Sequence, residues 1–194
     1  TRIDLADVRR RAPDRVIVAT GSAPQRPWWA PEDADWIVDV REVLEGAASP
    51  SGEVVVLDEL GFHQATSVAE LLADRGCSVE LVTPGMVVGQ DLGVTLDLEH
   101  FWIRAQAKGI AQSTELVPMS VEGHTVHLQH HPTGEMLSRT PDWLVLAVPG
   151  TPTDALYHEL SAAGFEVERV GDAVAPRRAH AAVIDGERAG AALV

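Results

Sequence analysis

The residues that follow the apolar run Val54–Leu57 stand where a dinucleotide-binding protein carries its glycine-rich turn. The pattern G-x-G-x-x-G needs glycine for the tight bend, for the approach of the backbone to the pyrophosphate and for the packing of helix on strand. At these positions the sequence has Asp58, Leu60 and His63. Two like charges about 4 Å apart repel by about 4 kcal/mol at an intermediate dielectric constant, so the Asp58 carboxylate would oppose a pyrophosphate. The turn therefore predicts that NAD(P) is not bound in the usual way.

The end of the next strand supports the same expectation. An acidic residue there would hold the adenosine ribose, and an arginine would hold a 2′-phosphate. Thr83 and Pro84 occupy this place instead. We expect Asp58 and Glu59 to cap the intervening helix themselves, because a helix N-terminus favours negative charge.

Four histidines in one hairpin suggest a metal site, but their spacing argues against it. On a strand, His124 and His130 face one side, whereas His127 and His131 face the other. A solvated hairpin is the better interpretation, and no metal ligand is predicted. The single cysteine, Cys77, excludes an internal disulfide and an iron–sulfur cluster held by this chain alone. It is predicted to be a buried small apolar residue.

Two other groups of residues suggest chemistry only weakly. Ser22 follows a strand and a glycine, but it lacks the second glycine of a nucleophile elbow, so no Ser–His–Asp site and no catalytic residue is predicted. Trp28, Trp29 and Trp36 could form an exposed aromatic patch. We expect them to pack beneath the segment that contains them.

The elements that position these residues follow from the apolar pattern. Residues 53–83 read as strand, helix and strand, which is the building block of a nucleotide-binding parallel sheet. Apolar and polar residues alternate over Ser113–Arg139, which predicts an antiparallel meander. Residues 22–50 look like a connecting segment, and Leu92–Lys108 reads as one helix. Its inward residues are predicted to be Leu96, Phe101 and Ile103.

Further elements lie on both sides of these. Strands are predicted at Asp14–Ala19, Trp143–Val148 and Val167–Val170, and helices at Asp154–Ala163 and Arg178–Leu193. The fold class is therefore α/β, a Rossmann-like three-layer domain with a parallel sheet and an antiparallel β-meander.

Composition excludes several classes of protein. The 194 residues are 45% hydrophobic and 23% charged, which is ordinary for a globular chain. No stretch approaches the roughly 20 apolar residues of a membrane helix. A net charge of −14 repels phosphate backbones, so we expect neither a nucleic-acid nor a membrane partner. The chain starts at Thr1 without a methionine or a signal pattern, which suggests a processed or excised piece.

Three segments in order carry a resemblance to a known family. They are Asp14–Gly21 (DRVIVATG), residues 53–83, and Val170–Leu193, which opens with Val-Gly-Asp. Together they resemble the C-terminal region of flavin oxidoreductases related to trimethylamine dehydrogenase, histamine dehydrogenase and 2,4-dienoyl-CoA reductase. Members of this family carry a barrel with FMN and an iron–sulfur cluster, followed by a two-part nucleotide-binding region. This chain has neither the barrel nor the cluster cysteines.

The resemblance implies three sections and one nucleotide site. Residues 1–51 and 149–194 would be parts of an FAD/ADP-type domain, and residues 52–148 an inserted NAD(P)-type domain with a degenerate turn. FAD or ADP would be held in the full-length protein, and nothing by this chain alone. The implied contacts are Ala19, Thr20, Gly21, Gly171 and Asp172, with the helix after Pro176 pointing its N–H groups at phosphate or flavin.

Two functions remain open at this point. The resemblance implies a fragment of a flavin-dependent oxidoreductase, closer to the amine dehydrogenases, whose chemistry lies in the absent barrel. Its partners would be the rest of its own polypeptide or a barrel-bearing subunit, and an electron-transfer flavoprotein, in the cytoplasm. The alternative is a standalone Rossmann-like interaction module that has lost its nucleotide. An autonomous NAD(P)-dependent reductase is the weakest hypothesis.

Overall fold

A computed structural model describes residues 2–193 of the chain, which divide into two compact units. The central unit runs from Arg26 to Pro149. The flanking unit combines the residues up to Gln25 with those from Gly150 onward.

The described residues form both α-helices and β-strands. The helices are α1 (Leu5–Arg11), α2 (Val40–Glu45), α3 (His63–Asp74), α4 (Leu98–Ala107), α5 (Ala155–Ala162) and α6 (Ala179–Ala191), with short 3₁₀ helices at Gln90–Thr95 and Gly171–Ala173. The strands are β1 (Val16–Val18), β2 (Ser22–Ala23), β3 (Ile37–Asp39), β4 (Glu53–Asp58), β5 (Ser78–Val82), β6 (Ala111–Ser113), β7 (Leu116–Glu122), β8 (Thr125–His130), β9 (Glu135–Arg139), β10 (Trp143–Ala147), β11 (Thr151–Pro152) and β12 (Val167–Arg169). Of the helices in residues 2–193, none is long and apolar enough to cross a membrane.

The central unit is built on a parallel sheet of strand order β3-β10-β4-β5-β6. Every neighbouring pair is parallel, and β10 lies between β3 and β4. The inner strands consist almost entirely of buried residues, which is the pattern of a sheet covered on both faces. The β4–α3–β5 unit forms as residues 53–83 predict.

The two faces of this sheet are covered in different ways. On one face, Val54, Val56 and Leu81 pack in a cluster with α3 and α4 residues such as Leu72 and Phe101. On the other face, Val55, Leu57 and Leu144 pack in a cluster with β7 and β8 residues. Strands β7, β8 and β9 form the antiparallel meander. The layers are therefore helices, parallel sheet and meander, and the predicted fold class is confirmed.

Residues 22–50 are not merely a connecting segment. Ile37 and Val38 are buried in β3, which pairs in parallel with β10, and Val43 of α2 is fully buried. Asp39 caps α2 through the N–H of Arg41, and Glu42 returns a bond to the Asp39 N–H, so the two form a capping box. The structure therefore places residues 26–51 in the central unit, whereas the resemblance implied that they belong with residues 1–25 in the FAD/ADP-type domain.

The helix predicted over Leu92–Lys108 is also broken. The 3₁₀ helix ends at Thr95, the next residue Leu96 lies in the left-handed region at φ 60°, and α4 starts at Leu98. Leu96 and Ile103 are 84% and 66% exposed, so their predicted inward orientation is wrong. Phe101 does face the core, together with Ala105. Because α4 begins only at Leu98, its buried face differs from the face predicted for one continuous helix over Leu92–Lys108.

The flanking unit has a small core of its own. Strands β1 and β12 pair in parallel over three residues each, with Val16 opposite Val167. Val8 of α1, Val18 of β1 and Leu160 of α5 form its buried centre. Strands β2 and β11 form an antiparallel pair.

The two faces of α4 predict different costs of truncation. We expect Phe101→Ala to lower the free energy of unfolding by about 3–5 kcal/mol, because the ring is completely buried. Ile103→Ala, two residues away on the exposed face, should change it by no more than about 0.5 kcal/mol. Urea unfolding of both variants measures the difference. Equal losses would show that the assigned face is wrong.

Candidate functional site

A cleft in the flanking unit gathers four of the five residues predicted to contact a nucleotide. Its volume is about 440 Å³. It is lined by Ala19, Gly21, Val170, Gly171, Asp172, Arg177, Ala179 and Ala182. The fifth predicted residue, Thr20, does not line the cleft, and its hydroxyl donates a hydrogen bond to the Thr153 carbonyl. Whether these residues bind a nucleotide stays a prediction.

The pairing of β1 with β12 explains why distant residues meet here. Val18 lies opposite Arg169, and the Val170 N–H donates to the Val18 carbonyl at 3.0 Å. The residues after both strands therefore leave from the same carboxyl edge, which is where α/β folds bind ligands. Gly171 has a φ of 62°, and a Cβ there would lie 3.2 Å from the Ala182 Cβ. Glycine thus allows the turn to lie close to α6.

Polar groups hold the turn that contains Asp172. One Asp172 oxygen accepts the Arg177 N–H at 3.2 Å, and the other accepts the Ser22 hydroxyl at 3.3 Å. Asp185 of α6 accepts the Gly171 N–H at 3.2 Å and pairs with the Arg177 guanidinium. The family resemblance implied a role for Asp172, but Arg177 and Asp185 were not predicted. Their signal is the Arg-Arg pair just before α6 and an acid two turns into it.

The start of α6 borders this cleft. Ala179 and Ala182, from its first turn, are both lining residues. No side chain among the described residues caps the helix at Arg178. A carboxylate, a guanidinium and a helix N-terminus around one cleft can together hold a hydroxyl-bearing anionic ligand.

A second place of interest is the β4–α3 turn of the central unit. Asp58 is completely buried. Its Oδ1 atom accepts the Gly61 N–H at 2.7 Å and the Leu60 N–H at 3.1 Å. The helix itself begins at His63, and no described side chain caps it. The expectation that Asp58 caps the helix is therefore corrected, because its carboxylate binds the turn that precedes the helix.

Burial raises the pKa of Asp58, and the nearby backbone N–H groups only partly oppose this shift. Its Oδ2 atom is buried, and none of the described residues donates a hydrogen bond to it. Desolvation also raises the pKa of the neighbouring Glu59, and the negative charge of Asp58 adds to that shift. Both shifts follow from placing two carboxylates at one edge of a buried sheet.

Thr83, where a ribose-binding acid would stand, is used by the fold. It is buried, and its hydroxyl accepts the Gly85 N–H at 3.1 Å. Its own N–H donates to the Ser113 carbonyl, and its carbonyl accepts the Leu116 N–H. These bonds connect the end of β5 with β6 and the first strand of the meander.

The hairpin histidines and the tryptophans serve in packing and surface contacts. His124 stacks on Trp36 with ring centroids 4.5 Å apart. His130 bonds to the Thr133 hydroxyl at 2.7 Å. Over residues 2–193, no group of three or more potential metal ligands converges. Trp29 is buried as predicted, but Trp28 is 84% exposed.

Cys77 lies only partly buried, so the prediction of a buried residue holds in part. Its thiol contacts the Pro50 carbonyl at 3.4 Å and packs against the helical core cluster. Burial raises the pKa of this thiol, which keeps it in the unreactive form at neutral pH.

Comparison with known proteins identifies relatives in one enzyme group. No protein-family model matches the chain. It is 29% identical to N,N-dimethylglycine/sarcosine dehydrogenase of Chromohalobacter salexigens, in an alignment that spans 97% of this chain and 33% of that protein. The chain thus spans about a third of the length of the curated relatives it matches.

Solved structures give the same picture. The 6-hydroxypseudooxynicotine amine oxidase of Pseudomonas geniculata N1 matches with a TM-score of 0.88 and 27% identity, over 98% of this chain and 30% of that one. Histamine dehydrogenase from Rhizobium sp. 4-9 has the same fold, with a TM-score of 0.87 and 22% identity over 97% of this chain and 32% of that one. The resemblance drawn from the three segments is confirmed.

The buried carboxylate predicts a pH dependence that Asp58→Asn should remove. A carboxyl whose pKa is raised by folding binds its proton more tightly in the native state, so it lowers stability as pH rises. This loss begins near the ordinary value of 3.8 and is complete above the raised native pKa. We expect wild type to lose stability relative to Asp58→Asn across that window, and to run parallel to it at higher pH. Urea unfolding between about pH 3.5 and 8 measures this. A constant difference over the whole range would contradict the shift.

Proposed function

We propose that this chain is the nucleotide-binding part of a flavin oxidoreductase related to trimethylamine dehydrogenase and old yellow enzyme, the enzymes that it resembles in sequence and fold. The redox reaction would take place in an FMN and iron–sulfur region outside these 194 residues. The observation that carries the proposal is the coverage: almost the whole chain aligns with relatives, but with only about a third of each.

The cleft of the flanking unit is the proposed nucleotide site. The Asp172 carboxylate has about four acceptor positions, and Ser22 and Arg177 use two of them. The remaining positions could accept hydroxyl groups of a ribose or ribitol. The N-terminus of α6 and the Arg177 guanidinium supply positive potential for phosphate or flavin oxygens. FAD or ADP combines both kinds of group, and either would be the nucleotide held.

The proposed role for this nucleotide site is structural, because no catalytic side chain is assigned to the chain. Its one cysteine cannot hold an iron–sulfur cluster. The partner that completes the enzyme would be the rest of the same polypeptide or a barrel-bearing subunit. An electron-transfer flavoprotein is the proposed electron acceptor.

The names of the relatives favour an amine as the substrate of the whole enzyme. One relative is named for dimethylglycine and sarcosine, and two of the matching structures are an amine oxidase and a histamine dehydrogenase. The state of the β4–α3 turn agrees with this proposal. An enzyme that passes electrons from an amine to a flavoprotein does not need nicotinamide, so that turn is free to lose its glycines.

The length of the native reading frame tests the proposal directly. The whole frame that encodes this sequence should be cloned, expressed and purified, and its flavin released by acid and identified. We expect a polypeptide about three times longer that releases FMN. A frame that encodes no barrel, and whose product co-purifies with no flavin-bearing subunit, would overturn the proposal. That result would leave the standalone interaction module as the function.

Asp172→Ala tests the nucleotide site within that full-length protein. We expect the bound ADP or FAD, or the affinity for it, to fall about tenfold, because the carboxylate–hydroxyl bonds are lost. FMN content should not change. Glu187→Gln, an exposed change on α6, is the control and should leave both nucleotides at wild-type levels. Chromatography of the acid-released nucleotides measures all three proteins. An unchanged ADP and FAD content in Asp172→Ala would show that the cleft is not the site.

A further inference from the structure

The central unit has the layout of a dinucleotide-binding domain, but its β4–α3 turn does not fit a dinucleotide. In such folds the pyrophosphate lies at the first strand–helix turn, against backbone N–H groups. We propose that the Asp58 carboxylate occupies this place itself, as an internal anion that fills the N–H cradle and closes the central unit to dinucleotides. The proposal concerns the central unit alone and does not depend on the function of the flanking cleft.

The first support is the set of bonds that the carboxylate makes. The N–H groups of Leu60 and Gly61 both point at one oxygen, at 3.1 and 2.7 Å. In a phosphate-binding turn, successive N–H groups of this kind bind the ligand's oxygens. Here the side chain that begins the turn supplies the anion instead. The donors that would recognise a pyrophosphate are therefore already used.

The second support is the unpartnered Oδ2 atom. A buried carboxylate oxygen without a hydrogen-bond donor destabilises the fold. A smaller or apolar side chain at this position would avoid that cost. No group within the described part of the chain donates to Oδ2, although Asp58 is completely buried. A pyrophosphate has more oxygens than such a turn has N–H groups, so some of its oxygens make no bond to the turn. The Asp58 carboxylate is similar in this respect, because Oδ1 accepts both N–H groups and Oδ2 accepts none.

The third support is the loop that lies over the turn. The Asp91 N–H donates to the Gly61 carbonyl at 2.9 Å. Gly89 lies so close to Leu92 and Thr66 that a Cβ there would be 2.9 and 3.2 Å from their side chains. This contact packs the residues after β5 against the turn and the start of α3. The turn is therefore held both by the Asp58 carboxylate and by the loop after β5.

The other two glycine positions agree with a filled site. Leu60 and His63 both carry side chains where the approach of a pyrophosphate and the contact of helix with strand call for none. Leu60 packs against the helical core cluster, and His63 lies edge-on to the Phe62 ring. Neither position therefore offers the bare backbone that a pyrophosphate-binding turn needs.

Chemical rescue tests the internal anion. Asp58→Gly removes the carboxylate and leaves the N–H groups, so a small carboxylate added to the buffer can take its place. We expect about 100 mM formate to raise the melting temperature of Asp58→Gly by about 2 °C over chloride at equal ionic strength. Inorganic pyrophosphate forms a second arm and shows whether the emptied cradle also accepts the larger anion. Either anion stabilising Asp58→Gly specifically supports the proposal.

Three controls make the rescue specific. Wild type and Asp58→Asn keep the cradle filled, so formate should act on them only as chloride does. Val56→Ala is destabilised in the same strand by loss of a fully buried side chain, with no anion removed, and it should also show no specific rise. If Asp58→Gly does not fold, Asp58→Ser replaces it, since its shorter side chain still empties part of the cradle.

Two results would overturn the proposal. One is that neither formate nor pyrophosphate stabilises the emptied variant beyond chloride, or that the stabilisation is equally large in wild type and Val56→Ala. The other is saturable binding of NADH or NADPH below about 1 mM, measured by nicotinamide fluorescence, that is as tight in Asp172→Ala as in wild type, because the ADP group of NADH could otherwise be held by the flanking cleft. Neither result depends on Asp172, so failure here is distinguishable from failure of the flanking nucleotide site.

Discussion

The central unit depends on one constraint, which is that a parallel sheet has to be covered on both faces. Its inner strands β4 and β10 are nearly continuous runs of buried apolar residues. Neither face can be left in water, because burial of this apolar surface is the main favourable contribution to folding. Helices cover one face, and the meander covers the other. The turn at Asp58 follows directly from β4, one of the two buried inner strands of this arrangement.

A charged pair strengthens the connection between the meander and the sheet. Glu80 of β5 accepts bonds from Arg139 of β9 at 2.7 and 2.9 Å and from the Ser113 hydroxyl at 2.6 Å. Burial alone would raise the pKa of Glu80, but these bonds outweigh it and hold the pKa below its usual value. The paired geometry of a guanidinium and a carboxylate fixes direction as well as distance. The pair therefore helps to set the position of β9 relative to β5.

Local periodicity was enough to predict the β4–α3–β5 unit and the meander, because each is a continuous segment of one pattern. It failed for α2 and for the break before α4. The sequence signal for α2 was the capping pair Asp39 and Glu42. Both residues are polar, so a search for apolar periodicity does not detect them. The break at Leu96 depends on a left-handed residue that no apolar pattern indicates. The cleft shows the same limit: Gly171 and Asp172 came from a family resemblance, whereas Ser22 joins them only because the distant strands β1 and β12 pair.

The pairing of Val16 with Val167 has a consequence during synthesis of the chain. Strand β1 leaves the ribosome before β12, which follows only after the whole central unit has been made. At about 5–20 residues per second, the edge of β1 that β12 later covers stays without this partner for on the order of ten seconds. An open edge of this kind can recruit other nascent chains. The strand is three residues long, and Asp14 and Arg15 precede it, both of which limit such pairing. The central unit can fold during that interval because all its strands are contiguous in the sequence.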